Sequence, residues 1–102
     1  MDLIYVEIDE ELEDIVPGFL ENRRNDIVKL LSFYEERNYE ELERIGHKVS
    51  GSAGGYGFHE LGKIAKSIEV NAPKSNDDTL GQLINEFKSY VENLEIKYIK
   101  VD

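Results

Sequence analysis

The stretch GHKVSGSAGGYG, residues 46–57, places five glycines and one histidine in twelve positions of a chain that otherwise reads as helical. Glycine within a helix costs about 1 kcal/mol relative to alanine, because it loses the most backbone freedom on folding. Gly46, Gly51 and Gly54 fall inside the predicted helix and together cost about 2 to 3 kcal/mol, out of a total stability of roughly 5 to 15 kcal/mol. Such a cost indicates that this segment needs close packing, or access to its histidine.

The length and composition predict one folded domain that spans residues 1–102. Its 102 residues, 40% hydrophobic and 33% charged, suffice for a single modest core. The chain has no cysteine, which excludes a disulfide framework, a thiolate nucleophile and a cysteine zinc site. No apolar run approaches the roughly 18 residues of a membrane span, and the start MDLIYVEIDEELE lacks the basic region of a signal peptide. We therefore expect a soluble, cytoplasmic and freestanding protein with no membrane partner.

The charge is strongly acidic and unevenly distributed. A net charge of −10 disfavours binding to nucleic acid and to anionic lipid, because both are themselves negative. Residues 44–66 nevertheless carry a charge of +3, which leaves −13 to the rest of the chain. They contain one acidic side chain, Glu60, and four cationic ones: Arg44, Lys48, Lys63 and Lys66. This basic island is either a chance cluster on a solvated face or a docking surface for an acidic partner.

The remaining pattern predicts an all-α fold, an antiparallel four-helix bundle over about residues 10–95. Pro17 separates a short N-terminal helix from a longer one, and Asn38 caps a helix that begins at Tyr39 with Glu41 as its capping-box partner. A third helix runs over residues 58–72, and an apolar stripe traces the last one: Leu80, Leu83, Ile84, Phe87, Val91 and Leu94. The terminal arms 1–8 and 95–102 are rich in strand-forming residues and could pair as a two-stranded ribbon.

The histidine is predicted to point away from the core. At about 100° per residue, the apolar positions of its helix lie within roughly 80° of one another: Leu42, Ile45, Val49, Ala53 and Tyr56. His47 lies roughly 150° from the centre of that stripe, on the outer face. Gly51 and Gly54 share its direction, and a side chain at position 51 would normally cover the ring. The glycines therefore leave the imidazole uncovered for a second macromolecule.

A purely structural role explains the other glycines. Gly46 faces inward, where it permits close helix packing, and Gly55 with Gly57 can end the helix in a left-handed turn. A satisfied or merely exposed histidine is also the common case in helical bundles. Close packing does not explain Gly51 and Gly54, because these two glycines are predicted to point outward. Access to the histidine does explain them.

Residues 47–69 resemble the histidine phosphotransfer (HPt) domain of multistep two-component phosphorelays. The residues that carry the resemblance are His47, Gly51, Ser52, Gly57, Leu61 and Glu69, together with the small-residue run GSAGGYGF. The resemblance implies a phospho-carrier without independent turnover. In that family a histidine, here His47, carries the phosphoryl group on its outer ring nitrogen and exchanges it with an aspartate of a response-regulator receiver domain. A hybrid histidine kinase is a second candidate partner, and Mg²⁺ is expected from the receiver, so this chain needs no cofactor.

One position departs from the family pattern. Ser50 stands where the family commonly has a lysine, whose charge would attract the phosphoryl oxygens. Lys48, Lys63 or Lys66 could supply that charge, and Ser50 could donate a hydrogen bond. We predict that phosphoryl and docking support comes from these four residues and from three others nearby: Gly51, Gly54 and His59.

Other functions remain open on the sequence alone. The bundle could bind a receiver or kinase domain without carrying phosphate. A small hydrolase with His47 as general base lacks a Ser, Cys or paired carboxylate at a useful spacing. A metal pair of His47 and His59 lacks a third ligand nearby in sequence, and GSAGGYG lacks the Lys and Ser/Thr of a nucleotide-binding loop. The single use of each apolar stripe favours a monomer.

Overall fold

The structure, a computed structural model, describes residues 3–101. The described chain consists of four α-helices and two short strands, in the order β1 (Ile4–Asp9), α1 (Val16–Glu35), α2 (Tyr39–Ser52), α3 (His59–Asn71), α4 (Asp77–Glu92) and β2 (Leu94–Ile99). None of the helices within residues 3–101 combines the length and the hydropathy that a membrane span needs. The helical class predicted from the sequence is confirmed.

Helix α1 begins at Val16 with Pro17 in its first turn, where the missing N–H of proline has no intrahelical partner to lose. At the place of the predicted short helix before Pro17 lies a single 3-10 turn, Glu10–Leu12. Its start is capped by Asp9, whose carboxylate accepts a hydrogen bond from the Glu11 N–H at 3.0 Å. The turn connects β1 to α1 and buries none of its own side chains.

Helix α2 begins as the sequence predicts. The Asn38 side chain accepts a hydrogen bond from the Glu41 N–H at 3.3 Å, which caps the helix. The Glu41 carboxylate instead binds Arg44 at 3.2 Å, which gives it a partner other than the one a capping box provides. The α-helix ends at Ser52 and continues as a 3-10 helix, Ala53–Tyr56, so the regular helical angle used for Gly54 does not apply there.

Gly57 ends this segment in the left-handed region, with a φ of 93°. A Cβ at this position would lie 2.6 Å from Cδ1 of Ile8 on β1. Glycine is required here for two reasons, since any other residue would be strained and would also clash with the strand. The predicted left-handed turn is therefore confirmed at Gly57.

The core lies between the four helices. Each helix packs against its neighbours in the chain, and α1 also packs against α4, which closes the bundle. Short connections join consecutive helices, and the antiparallel order of the helices stays a prediction. Fully buried positions include several that the apolar periodicity predicted: Leu42, Val49, Ala53, Leu80 and Phe87.

The two ends of the chain pair as a two-stranded sheet, as predicted, and the strands run parallel. Ile4 lies opposite Leu94 and Asp9 opposite Ile99, so all six residues of each strand are paired. Residues 1, 2 and 102 of the predicted arms lie outside the described residues. The assignment of Leu94 to the last helix was wrong. The helix ends one residue before Asn93, whose side chain donates to the carbonyl oxygen of Ser89 at 2.7 Å and whose own carbonyl accepts from the N–H of Ile4.

Candidate functional site

His47 lies in the middle of α2 with its side chain 78% exposed. Its Nδ1 lies 2.7 Å from Oε2 of Glu69, a residue of α3 whose side chain is only 17% exposed. The imidazole is therefore held on one side by a carboxylate and open to solvent on the rest of its surface. The outward direction predicted for His47 is confirmed.

The carboxylate decides which ring nitrogen carries the proton. Hydrogen bonds from the Lys66 ammonium and then from the His47 ring hold the pKa of the Glu69 carboxyl below its ordinary value. An ionised carboxylate can only accept a hydrogen bond, so Nδ1 of His47 must donate it. In the neutral ring the lone pair then resides on Nε2, on the side of the ring away from Glu69. The arrangement presents one nucleophilic nitrogen to the solvent.

Gly46 makes the contact between His47 and Glu69 possible. A Cβ at position 46 would lie 2.7 Å from the carbonyl oxygen of Ala65 and 2.8 Å from the backbone nitrogen of Glu69. Both neighbours are backbone atoms of α3, which cannot move aside without displacing the helix. The glycine thus brings α3 against α2 at the turn where the two side chains meet, which confirms its predicted inward role.

Lys66 and Ser50 lie close to the same pair. The Lys66 ammonium binds the second carboxylate oxygen of Glu69 at 3.1 Å, so that Glu69 bridges a histidine and a lysine. The Ser50 hydroxyl donates to the main-chain carbonyl oxygen of His47 at 3.0 Å. A serine that bonds back to its own helix uses its one proton there. Ser50 must rotate away from this bond to donate to anything else.

Lys48, the residue after His47, points to the other neighbouring helix. Its ammonium lies 3.0 Å from Oδ1 of Asp26 on α1, and Asp26 is 2% exposed. The second oxygen of Asp26 lies 2.8 Å from Nε of Arg23, which is also buried, although the pair does not meet hydrogen-bond geometry. Lys48 is 53% exposed, so it covers an ion pair that is otherwise enclosed.

A stack of aromatic rings packs against the arginine of this ion pair. The Arg23 guanidinium lies 4.6 Å from the ring centroid of Phe19, at cation–π distance. The Phe19 ring stacks on Tyr56 at 4.3 Å and on Phe58 at 5.5 Å between centroids. The stack connects α1 to the segment between α2 and α3, and so fixes the end of the helix that carries His47.

The two outward glycines have different surroundings. A Cβ added to Gly51 would meet nothing within 4 Å, so the surface beside His47 is open there, as predicted. A Cβ at Gly54 would lie 3.6 Å from Nδ1 of His59, which places Gly54 next to the other histidine. His59 begins α3 and is exposed, and Lys63 on the same helix pairs with Glu60 at 3.3 Å.

In the folded chain, every cation of the basic island lies beside a carboxylate. Each of its four cations lies within 3.3 Å of a carboxylate oxygen, and three of these carboxylates come from outside residues 44–66. The pairs are Arg44 with Glu41, Lys48 with Asp26, Lys63 with Glu60, and Lys66 with Glu69. The long-range attraction expected from a charge of +3 is therefore reduced, although Asp26 is shared between Lys48 and Arg23.

Sequence reasoning missed the two carboxylates that organise this region. Glu69 was identified as the end of a motif but was given no contact with His47, and Asp26 was not singled out. The signal for Asp26 was present, because Phe19, Arg23, Asp26, Ile27 and Leu30 follow one another at helical spacing on a buried face. Within residues 3–101, no group of three His, Cys, Asp or Glu side chains is placed to hold a metal ion.

A family model described as the Hpt domain matches residues 7–96 of the chain. The match therefore covers all four helices and half of each strand. No curated protein and no solved structure matches the chain.

Proposed function

Because this chain belongs to the Hpt domain family, whose members act in histidine phosphotransfer, we propose that it carries a phosphoryl group on Nε2 of His47. The phosphoryl group is exchanged with an aspartate of a response-regulator receiver domain. The observation that supports this most strongly is the bond from Nδ1 to an ionised Glu69, which leaves Nε2 unprotonated on an open surface.

The transfer needs one displacement at phosphorus. The Nε2 lone pair attacks the phosphorus of the aspartyl phosphate, an N–P bond forms, and the aspartate carboxylate leaves with the electrons of the broken O–P bond. The ring then carries a phosphoryl group on Nε2 and a proton on Nδ1, and is formally cationic. The Glu69 carboxylate stabilises that cation through the hydrogen bond already present, so little has to reorganise during the step.

Other groups serve the phosphoryl oxygens and the docking of the receiver. Lys66 binds the same carboxylate as His47 and takes the place of the lysine absent at position 50, whereas the predicted support from Lys48 is not favoured, because its ammonium binds Asp26 on the opposite flank of α2. Gly51 and Gly54 keep the surface low enough for a second domain to reach the ring, and His59 and Lys63 border it. Mg²⁺ is supplied by the receiver, as the chemistry of an acyl phosphate on a carboxylate cluster requires.

The test is transfer of labelled phosphate from a phosphorylated receiver domain to this chain. We expect acid-labile label on the chain at a stoichiometry near one, and no label on the His47→Gln variant. The matched control is His59→Gln, because the chain has two histidines. This control should reach the same final stoichiometry as the native chain.

Each other result contradicts the proposal. Label that remains on His47→Gln would place the phosphate elsewhere. A native chain that binds receivers and accepts no label would make this domain an interaction module, the alternative that the sequence left open. Turnover of generic phosphate esters would indicate a hydrolase.

A further inference from the structure

We propose that the free edge of β2 pairs with β2 of a second copy of this chain, antiparallel and about a two-fold axis at Ile96. The pairing joins two two-stranded sheets into one continuous four-stranded sheet. The proposed assembly is a dimer, whereas the single use of each apolar stripe favours a monomer. The proposal is independent of the proposed function because it uses no residue of the His47 site.

The backbone of β2 is arranged for such a pairing. Ile4 lies opposite Leu94 and donates its N–H to Asn93, so the odd-numbered residues of β2 direct their backbone groups to β1. The N–H and C=O groups of Leu94, Ile96 and Tyr98 therefore point to the opposite edge. Within the described chain the sheet contains only β1 and β2, which leaves that edge without a neighbouring strand.

The charges on β2 are complementary to themselves. An antiparallel pair centred on Ile96 places Glu95 directly opposite Lys97 of the second copy, and Lys97 opposite its Glu95. Both side chains lie on the exposed face of the sheet. They occupy the non-hydrogen-bonded positions of the new ladder, where opposing side chains approach most closely. The two-fold axis therefore generates two Glu95–Lys97 ion pairs between the copies.

The other face of the strand also fits a second copy. There the pairing sets Ile96 against Ile96 and Leu94 against Tyr98 of the second copy. Leu94 and Ile96, both half-buried, border an open groove of about 640 Å³ between α1, α4 and β2. Two apolar side chains of α1 that line the groove are exposed, Val28 by 68% and Leu31 by 39%. The added strand extends the apolar face of the sheet alongside this groove and covers part of it.

The edge of β1 does not offer the same match. Its exposed face carries Tyr5 and Glu7, and the strand ends at Asp9. Pairing β1 with itself brings acidic side chains near one another or opposite apolar ones, with no cation to match them. The self-complementary pattern is therefore specific to β2.

The test uses two variants that are incompatible with themselves and compatible with each other. Glu95→Lys places lysines opposite lysines, and Lys97→Glu places glutamates opposite glutamates. In sedimentation velocity, each variant alone should show a dimer dissociation constant weakened about tenfold or more. An equimolar mixture should form a heterodimer with both ion pairs restored, at close to the native affinity.

Folding controls keep the result interpretable. Lys97→Glu also places a glutamate beside Glu7 of its own chain, whereas Glu95→Lys lies beside the uncharged Tyr5. Glu95→Lys is therefore the variant expected to keep its native circular dichroism and urea midpoint. In the native protein, amide exchange at Ile96 and Tyr98 should slow as concentration rises, whereas exchange at Val28 should not.

Three outcomes overturn the proposal. The native chain could remain monomeric at about 1 mM. It could dimerise with an affinity that neither substitution changes. The mixture of the two variants could associate no better than either variant alone.

Discussion

His47 and Lys48 are neighbours on α2, and each binds a carboxylate 22 positions away along the chain, in opposite directions. His47 binds Glu69 on α3, and Lys48 binds Asp26 on α1. The first pair lies on an open surface, with the ring 78% exposed, whereas the second ends on a carboxylate that is 2% exposed and also contacts a buried arginine.

The two pairs therefore have different roles: the His47–Glu69 pair orients the imidazole ring, and the Lys48–Asp26 pair stabilises the fold. A carboxylate beside an exposed ring contributes little to folding, because solvent screens the interaction, but it fixes which nitrogen carries the proton. A carboxylate that is buried with an arginine is shielded from water. Its removal leaves the arginine without a counter-charge and without water to solvate it, which lowers the free energy of unfolding. One helix thus connects a chemical site on one flank to a structural ion pair on the other.

The largest effect is expected from Asp26→Ala. It leaves Arg23 buried without a counter-charge, and the free energy of unfolding should fall by about 3 to 5 kcal/mol in urea titration. The control is the double variant Arg23→Met, Asp26→Leu, which removes both charges and should recover most of the loss. A single variant as stable as the native chain would contradict the assignment of a structural role.

The next effect is expected from Gly46→Ala, at roughly 1 to 3 kcal/mol of destabilisation. Alanine favours the helix, but its Cβ would lie within 3.0 Å of two α3 backbone atoms, so α2 and α3 must separate. The matched control is Gly51→Ala, which meets nothing within 4 Å and should raise stability by up to about 1 kcal/mol. Thermal unfolding of both variants distinguishes the inward glycine from the outward one, and equal changes in both would contradict the distinction.

Glu69→Gln should change chemistry more than stability. The urea midpoint should move little, because the contact lies at the surface. Transfer of phosphate to His47 should slow about tenfold, because a neutral amide neither fixes the Nδ1–H tautomer nor stabilises the cationic phosphohistidine. An unchanged rate would show that Glu69 does not orient the ring.

The smallest effect is a pH dependence that the same variant isolates. The pKa of Glu69 is lower in the folded chain than its ordinary value of 4.5, so protonation favours the unfolded chain. The stability that Glu69 adds is therefore fully present above pH 4.5 and is lost as the pH falls through the lowered pKa. The difference in unfolding free energy between the native chain and Glu69→Gln should be larger above pH 4.5 than in acid, where most of it should be lost. A difference that persists at low pH would contradict the shift.

Local patterns predicted much of the fold. Helix periods, the Asn38 cap, the left-handed Gly57 and the outward direction of His47 each depend on a few residues close in sequence, and the structure contains all four. The parallel direction of the terminal strands was not predictable, because strand propensity contains no information on orientation. The end of α4 was placed too late because Leu94 continues the apolar stripe of the helix into the strand.

The candidate site was predictable only in part. The histidine and the glycines beside it stand out in the sequence, whereas the partners of His47 and Lys48 lie 22 positions away and on different helices. Contacts of that kind depend on how closely helices pack, which Gly46 determines between α2 and α3. The island of positive charge was overestimated for the same reason, since three of its four neutralising carboxylates lie outside it in sequence.

The central claim is that Glu69 holds the proton of His47 on Nδ1 and so leaves Nε2 to accept phosphate. Long-range ¹H–¹⁵N correlation spectra of the native chain, recorded near pH 8 before and after phosphorylation by phosphoramidate, test it directly. We expect the Nδ1–H tautomer for His47 before the reaction and a phosphoryl group on Nε2 after it. An Nε2–H tautomer, or phosphate on Nδ1, would contradict it.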